Sequence, residues 1–284
     1  MKATFFLVLI GFLFHINSQG TESPPSISTL NSTSSLSIKN ESTPRGNPND
    51  NSFSSAKKLL MKKVYFDQDK TFYCDAKFTN DSKIINSGEY LKGNTKNPRS
   101  KKLEWEHIVP AEAMGRHLVE WSQGHKACIN KKKRPYKGRR CAGKVSSEFR
   151  RMESDLYNLV PAIGEVNQRR AHWTFTDQTP TRSPSSPPPC DMHFFKDQVR
   201  PPEKRWGDIA RIYLYMDWAY PTQRILSEKQ RQLYVAWDKI DPPDAWECLR
   251  TQRIENIQGN PNPFSGCKTT GLNKNTKISN GPIQ

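Results

Sequence analysis

Six cysteines, Cys74, Cys128, Cys141, Cys190, Cys248 and Cys267, constrain this 284-residue chain more than any other feature. They follow a segment that reads as a secretory signal. Lys2 supplies a short positive region, Phe5 to Phe14 an apolar run, and Ser18 to Gly20 small and polar residues for cleavage. The apolar run falls short of the roughly 20 residues that a membrane span needs. An even number of cysteines in an exported chain predicts three disulfides, although six cysteines allow fifteen pairings. Short loops nominate Cys128–Cys141 and Cys248–Cys267, which leaves Cys74–Cys190 as a long-range staple. A zinc site built from His117, His125, Cys128 and Cys141 is disfavoured, because the spacing fits no standard module and an oxidising compartment removes free thiolates.

The disulfides would staple one domain. Residues 21–52 are dominated by Ser, Thr, Asn and Pro and predict a disordered spacer that has little to bury. Residues 53–267 are long enough for a single folded domain with its own core, and 268–284 read as a flexible tail. Within the domain the pattern predicts strands over 71–78 and 101–108 and a helix over 111–121 with Met114, Leu118 and Trp121 on one face. A short helix is expected over 147–156. Pro161 is expected at the first position of another helix, running through Arg170. Helices also follow over 205–219, from Ser227 with a Ser227/Gln230 capping box to Ile240, and after Asp241 as a cap. Strand–helix alternation is too sparse for a doubly wound sheet, and no glycine-rich phosphate loop is present. The expected class is α+β.

Charge narrows the partner. The formal net charge is +16, and between Lys126 and Arg151 eleven lysines and arginines face a single acid, Glu148. Most charge runs are only solvated surface. This one would be pinned at its base by Cys128–Cys141 and lies between the two segments richest in chemistry. Lys131, Lys132, Lys133, Arg134, Lys137 and Arg140 are therefore expected to hold a polyanion through its phosphates.

The first of those segments is Lys102-Leu-Glu-Trp-Glu-His-Ile-Val-Pro-Ala111 and the second is Asp155-Leu-Tyr-Asn-Leu-Val-Pro-Ala-Ile-Gly-Glu-Val-Asn167. A carboxylate and a carboxamide oxygen can hold a hard divalent cation, and an imidazole beside them can take a proton from water. Both segments resemble the endonuclease I family of periplasmic and secreted nucleases, of the ββα-metal (His-Me finger) superfamily. The resemblance continues through Arg205-Trp-Gly-Asp-Ile-Ala-Arg-Ile-Tyr-Leu-Tyr-Met216, Trp246-Glu-Cys-Leu-Arg250 and Ile257-Gln-Gly-Asn-Pro-Asn-Pro-Phe264, and spans roughly residues 53 to 267.

That resemblance implies a ββα-metal core, a β-hairpin with a crossing helix, surrounded by helices. It implies His107 as general base, Glu106 and Asn158 as ligands of one Mg²⁺ ion, and the Cys74–Cys190 staple. An arginine just before the second cysteine of the small loop is expected to contact phosphate, and Arg139 is preferred over Arg140. Tyr157 stands where the family commonly has histidine. The sequence carries one geometric tension. Adjacent strand residues point to opposite faces, so Glu106 and His107 share a site only if the strand ends there, as Pro110 suggests.

The function expected from these residues is hydrolysis of DNA phosphodiesters, with RNA as a second substrate, by in-line attack of water and with little sequence preference. The resemblance implies 5′-phosphate products. The leader implies export to a periplasm or beyond, with no membrane partner after its cleavage, and a monomer is expected. The alternative is an exported nucleic-acid-binding protein that keeps the fold without catalysis. It would not need Glu106, His107 and Asn158 together.

Overall fold

The computed structural model describes residues 45–86, 90, 96–179 and 189–267. The expected leader, most of the spacer and the C-terminal tail lie outside the described residues. In chain order the elements are helix α1 (Phe53–Leu59), strands β1 (Lys77–Phe78), β2 (Ile84–Asn86) and β3 (Leu103–His107), then helices α2 (Ala111–Gly115), α3 (Val119–Ser122), α4 (Arg139–Val145) and α5 (Ser147–Glu153). Strand β4 (Leu159–Ile163) and helix α6 (Gly164–Arg170) follow, then strands β5 (Thr174–Phe175), β6 (His193–Phe195) and β7 (Gln198–Arg200). Helices α7 (Trp206–Ala219), α8 (Glu228–Ile240) and α9 (Ala245–Gln258) complete the fold. The class is α+β, as expected, and the cysteines are joined as Cys74–Cys190, Cys128–Cys141 and Cys248–Cys267.

Strands β3 and β4 form an antiparallel pair in register from Leu103 opposite Ile163 to His107 opposite Leu159. Pro161 lies in β4, opposite Trp105, and the helix starts only at Gly164, which corrects the expectation that Pro161 opens it. The ladder explains why proline is tolerated. Gly164 N–H donates to Lys102 O and Ile108 N–H to Asn158 O, so hydrogen-bonded pairs fall at every second position and Pro161 occupies a position between them. Its missing N–H costs no ladder bond, and its carbonyl accepts from Phe72 N–H at 2.7 Å on the other side.

Helix α6 then folds back over β3. A Cβ at Gly164 would lie 2.7 Å from Glu104 Oε1 and 2.8 Å from Arg99 O, so only glycine lets the helix start this close. The long helix α7 forms the centre of the core, with Ile209, Tyr213 and Met216 buried.

Four other expectations need correction. The strand expected over 71–78 shrinks to Lys77–Phe78. The helix over 111–121 breaks at Arg116 into α2 and α3. The helix expected to begin at Asp241 is capped instead by Asp244, which completes a capping box with Glu247, while Asp241 accepts from Gly207 N–H. Composition assigns Arg45 to Ser52 to the spacer, yet these residues pack on the domain. Asn47 is buried, donating to Arg151 O and Ser154 Oγ at 3.1 Å each, and Asp50 pairs with Arg150. Composition averages over a segment, and it cannot see that one amide matches a buried carbonyl.

Candidate active site

A cleft of about 780 Å³ runs along the open edge of β3. The alternation of that strand divides its side chains. Trp105 and His107 meet the N-terminal helix side, Trp105 against Tyr65 at 5.3 Å and His107 against Phe53 at 4.7 Å between ring centroids. Glu104 and Glu106 meet α6, through Asn167 and Arg170. Because the strand stops at His107 and the cleft straddles its edge, Glu106 and His107 both line it although they leave the backbone on opposite faces.

His107 is buried, and its ring has one determined hydrogen bond. Nε2 lies 2.8 Å from Glu153 O. A carbonyl oxygen can only accept, so Nε2 carries the proton and Nδ1 keeps the free lone pair. Burial, together with the positive charges of Arg139 and Arg170, pushes the imidazole down to about 3, against the upward pull of the Glu153 carbonyl. The ring is neutral at any physiological pH. Glu153 also holds Arg139, whose Nε donates to Glu153 Oε1 at 2.6 Å. One residue therefore orients the imidazole through its backbone and the guanidinium through its side chain.

Glu106 is buried, accepting from Tyr73 Oη at 3.4 Å and lying 3.3 Å from Arg170 Nη1. Burial pushes its carboxyl up to about 7, against the Arg170 charge and the tyrosine hydrogen bond. The close arginine argues for the ionised form and burial argues against it. At these distances the balance lies near neutrality, and a second cation beside the carboxylate would tip it to the charged form. Arg170 itself is fully buried and donates to His107 O at 2.8 Å and to Ile108 O, which holds the end of β3 in place.

The structure separates the two asparagines of the second motif. Asn158 is fully buried and does not line the cleft. Its Oδ1 accepts from Val109 N–H at 2.7 Å and its Nδ2 donates to Val109 O at 3.0 Å, so both ends of the amide are committed to the backbone of one residue. Asn167, on α6, lines the cleft and donates to Glu104 Oε2 at 2.9 Å. Glu104 is not a simple solvated carboxylate: Arg99 grips it with both Nε and Nη2. The structure therefore does not bring Asn158 to the cleft, whereas Asn167 of the same motif is there. The discriminating signal is its place on a helix, level with Glu104 on the strand.

Of the two candidate arginines, Arg139 lines the cleft, whereas Arg140 lies over the Tyr136 ring at 4.9 Å and does not. Tyr157 is buried away from the cleft and donates to Asn260 O. Lys131, Lys132, Lys133, Arg134 and Lys137 are exposed on an ordered turn, with Lys133 N–H on Asn130 O and Asn130 N–H on Arg134 O, and none of them lines the cleft. Phe53, Glu153 and Arg170 had no signal in sequence, because their partners are far away along the chain.

Among the described residues no group of three or more His, Cys, Asp or Glu side chains is arranged to hold a metal ion. The oxygen donors that do share the α6 side of the cleft are Glu106, Glu104 and Asn167. So sparse an all-oxygen set does not make a closed cage. It fits a hard cation that keeps most of its water and takes further ligands from a phosphate.

The Endonuclease I family model matches residues 34–266. An extracellular deoxyribonuclease of Aeromonas hydrophila is 41% identical over 216 residues, covering 74% of this chain and 86% of that protein. A periplasmic deoxyribonuclease of the same organism is 39% identical over 219 residues, covering 75% and 84%. Endonuclease-1 of Buchnera aphidicola subsp. Acyrthosiphon pisum (strain APS) is 35% identical over 215 residues, covering 73% and 78%.

Proposed function

Since the chain belongs to the Endonuclease I family, we propose that it is an exported endonuclease that hydrolyses the phosphodiesters of DNA, with RNA as a second substrate. Three disulfides and relatives named as extracellular or periplasmic support export. The proposal includes β3, β4 and α6 as the ββα-metal unit. Glu106 and Asn167 would hold one Mg²⁺, in place of the Glu106–Asn158 pair. Mg²⁺, when bound, supplies Lewis-acid stabilisation of the charge that develops on the phosphate and the departing 3′ oxygen.

The chain's own residues supply the rest. His107 accepts a proton from water at Nδ1, and the water oxygen attacks phosphorus in line as the P–O3′ bond breaks, which leaves a 5′ phosphate and a 3′ hydroxyl protonated by solvent. The Glu153 carbonyl keeps the imidazole in the tautomer that can accept. Arg139, oriented by Glu153, offers its remaining N–H donors to the phosphate and offsets its growing negative charge. These contacts concern the backbone of the nucleic acid, so cleavage should show little sequence preference.

The observation that carries this reading is the pinned Nε2–H of His107, a neutral imidazole with one free nitrogen in the cleft. Nicking of a supercoiled plasmid tests it. Wild-type protein should nick in Mg²⁺ and stop in EDTA, and His107→Ala should be nearly inert. Nicking by His107→Ala at the wild-type rate would overturn the assignment. DNA binding without cleavage by the wild type would leave only a binding protein.

A further inference from the structure

Of the expected polyanion clamp, Lys131, Lys132, Lys133, Arg134, Lys137 and Arg140 do not line the cleft, but another set of cations does. Helix α1 continues into a wider π turn at Leu60–Val64, closed by Tyr65 N–H on Leu60 O at 2.8 Å. Ala56, Leu60 and Val64 form its buried stripe, with 1%, 0% and 0% exposure. Ser54, Lys57, Lys58, Met61 and Lys62 form a second stripe at helical spacing, and all five line the cleft.

Three features bear on what these lysines do. Most arginines of the described domain are paired: Arg99 with Glu104, Arg139 with Glu153, Arg150 with Asp50, Arg211 with Glu247, Arg253 with Asp67. Among the described residues Lys57, Lys58 and Lys62 form no ion pair. Lys58 and Lys62 are four residues apart and the first turn carries no acid, an arrangement of like charges that weakens a helix unless an anion lies across it. Finally, the lysine stripe adjoins the chemistry. Lys57 Nζ lies 4.8 Å from the Phe53 ring, that ring packs on His107, and the Arg139 guanidinium lies 5.4 Å from the same ring.

We infer that the Lys57–Lys58–Lys62 face of α1 and its π turn is the track for backbone phosphates of the nucleic-acid strand that enters the cleft. This inference rests on the nuclease reading above and adds the wall that grips the substrate. With a rise of about 1.5 Å per residue, Lys57 to Lys62 covers about 7.5 Å of helix axis. At about 3.4 Å of duplex axis per phosphate of one strand, that length accommodates about two phosphates.

Salt-dependent binding of duplex DNA to His107→Ala protein is the test, since it reads affinity without cleavage. Lys57→Gln/Lys58→Gln/Lys62→Gln in that background should reduce the log–log salt slope by about 2, at roughly 0.9 per phosphate. Between about 50 and 200 mM salt, that amounts to about tenfold less loss of affinity in the variant. Lys58→Gln/Lys62→Gln, which leaves half-buried Lys57 in place, should show about half the change if the triple variant folds poorly. Lys63→Gln, on the same segment but outside the cleft, controls for lost net charge and should change the slope less than Lys58→Gln. A triple variant with the parent's slope, in a parent that binds DNA steeply, overturns the track alone. No DNA binding by the parent overturns the nuclease reading with it. Loss of binding to anionic lipid vesicles with an unchanged DNA slope would make the face a membrane contact and likewise refute the inference.

Discussion

Asn158→Ala should lower the stability of this protein and leave its demand for Mg²⁺ unchanged. In the native chain Asn158 satisfies both the backbone N–H and the backbone C=O of Val109, at 2.7 and 3.0 Å, in a fully buried position. Alanine leaves a buried N–H and a buried C=O without partners. Each costs about 1–3 kcal/mol, so the pair costs about 2–6 kcal/mol. For a domain of this size 1 kcal/mol moves Tm by about 2–4 °C, which predicts a fall of about 4–24 °C. Asn158→Asp keeps the acceptor, loses the donor and buries a charge, so it should be no more stable than alanine. Asn167→Ala is the counterpart. It removes one hydrogen bond, to Glu104, from a half-buried position, at a cost of about 1 kcal/mol, yet it should raise the Mg²⁺ needed for half-maximal cleavage. Thermal melts monitored by circular dichroism, paired with magnesium titrations of plasmid nicking well below the lowest Tm, separate the two effects. The reasoning is refuted if Asn158→Ala melts with the wild type and needs more Mg²⁺ while Asn167→Ala titrates normally.

His107→Ala should keep its affinity for duplex DNA and lose turnover by about 10²–10⁴-fold, the range for a missing general base, as measured by gel-based cleavage and by anisotropy. Burial of neutral His107 also links folding to pH. Its folded pKa, about 3, lies below the unfolded value of 6.5, so its contribution is fully present above 6.5 and is lost as pH falls toward 3. Urea melts of metal-free protein across that window should show a shallower acid decline for His107→Ala than for wild type, and parallel curves would contradict the burial. Cys128→Ser/Cys141→Ser should lower stability by about 2–5 kcal/mol. It should also reduce turnover beyond that cost, because Cys141 anchors α4, which carries Arg139. Activity measured far below the variant's Tm decides this, and wild-type turnover there would dissociate the arginine from its staple.

What the chain declares by itself is local or covalent. Glu106 and His107 stand side by side because they are neighbours in sequence. Loop lengths of 13 and 19 residues suffice to nominate two of the disulfides. Ser227 and Gln230 form the expected capping box because both partners lie within one turn. Tertiary structure decides wherever a polar atom must find a distant partner. Asn158 and Asn167 are the same residue type in one motif, yet one satisfies the Val109 backbone in the core and the other meets Glu104 in the cleft. Glu153 acts on His107 from 46 residues away, and Phe53 packs on the same ring from a helix with no catalytic motif of its own. Pro161 enters a strand because the register places it between ladder bonds, a fact that exists only once β3 and β4 have paired. The physical reason is common to these cases. Propensity and chain connectivity act over a few residues, whereas desolvation penalises any buried donor or acceptor left alone, and which partner removes that penalty is known only after the chain has packed.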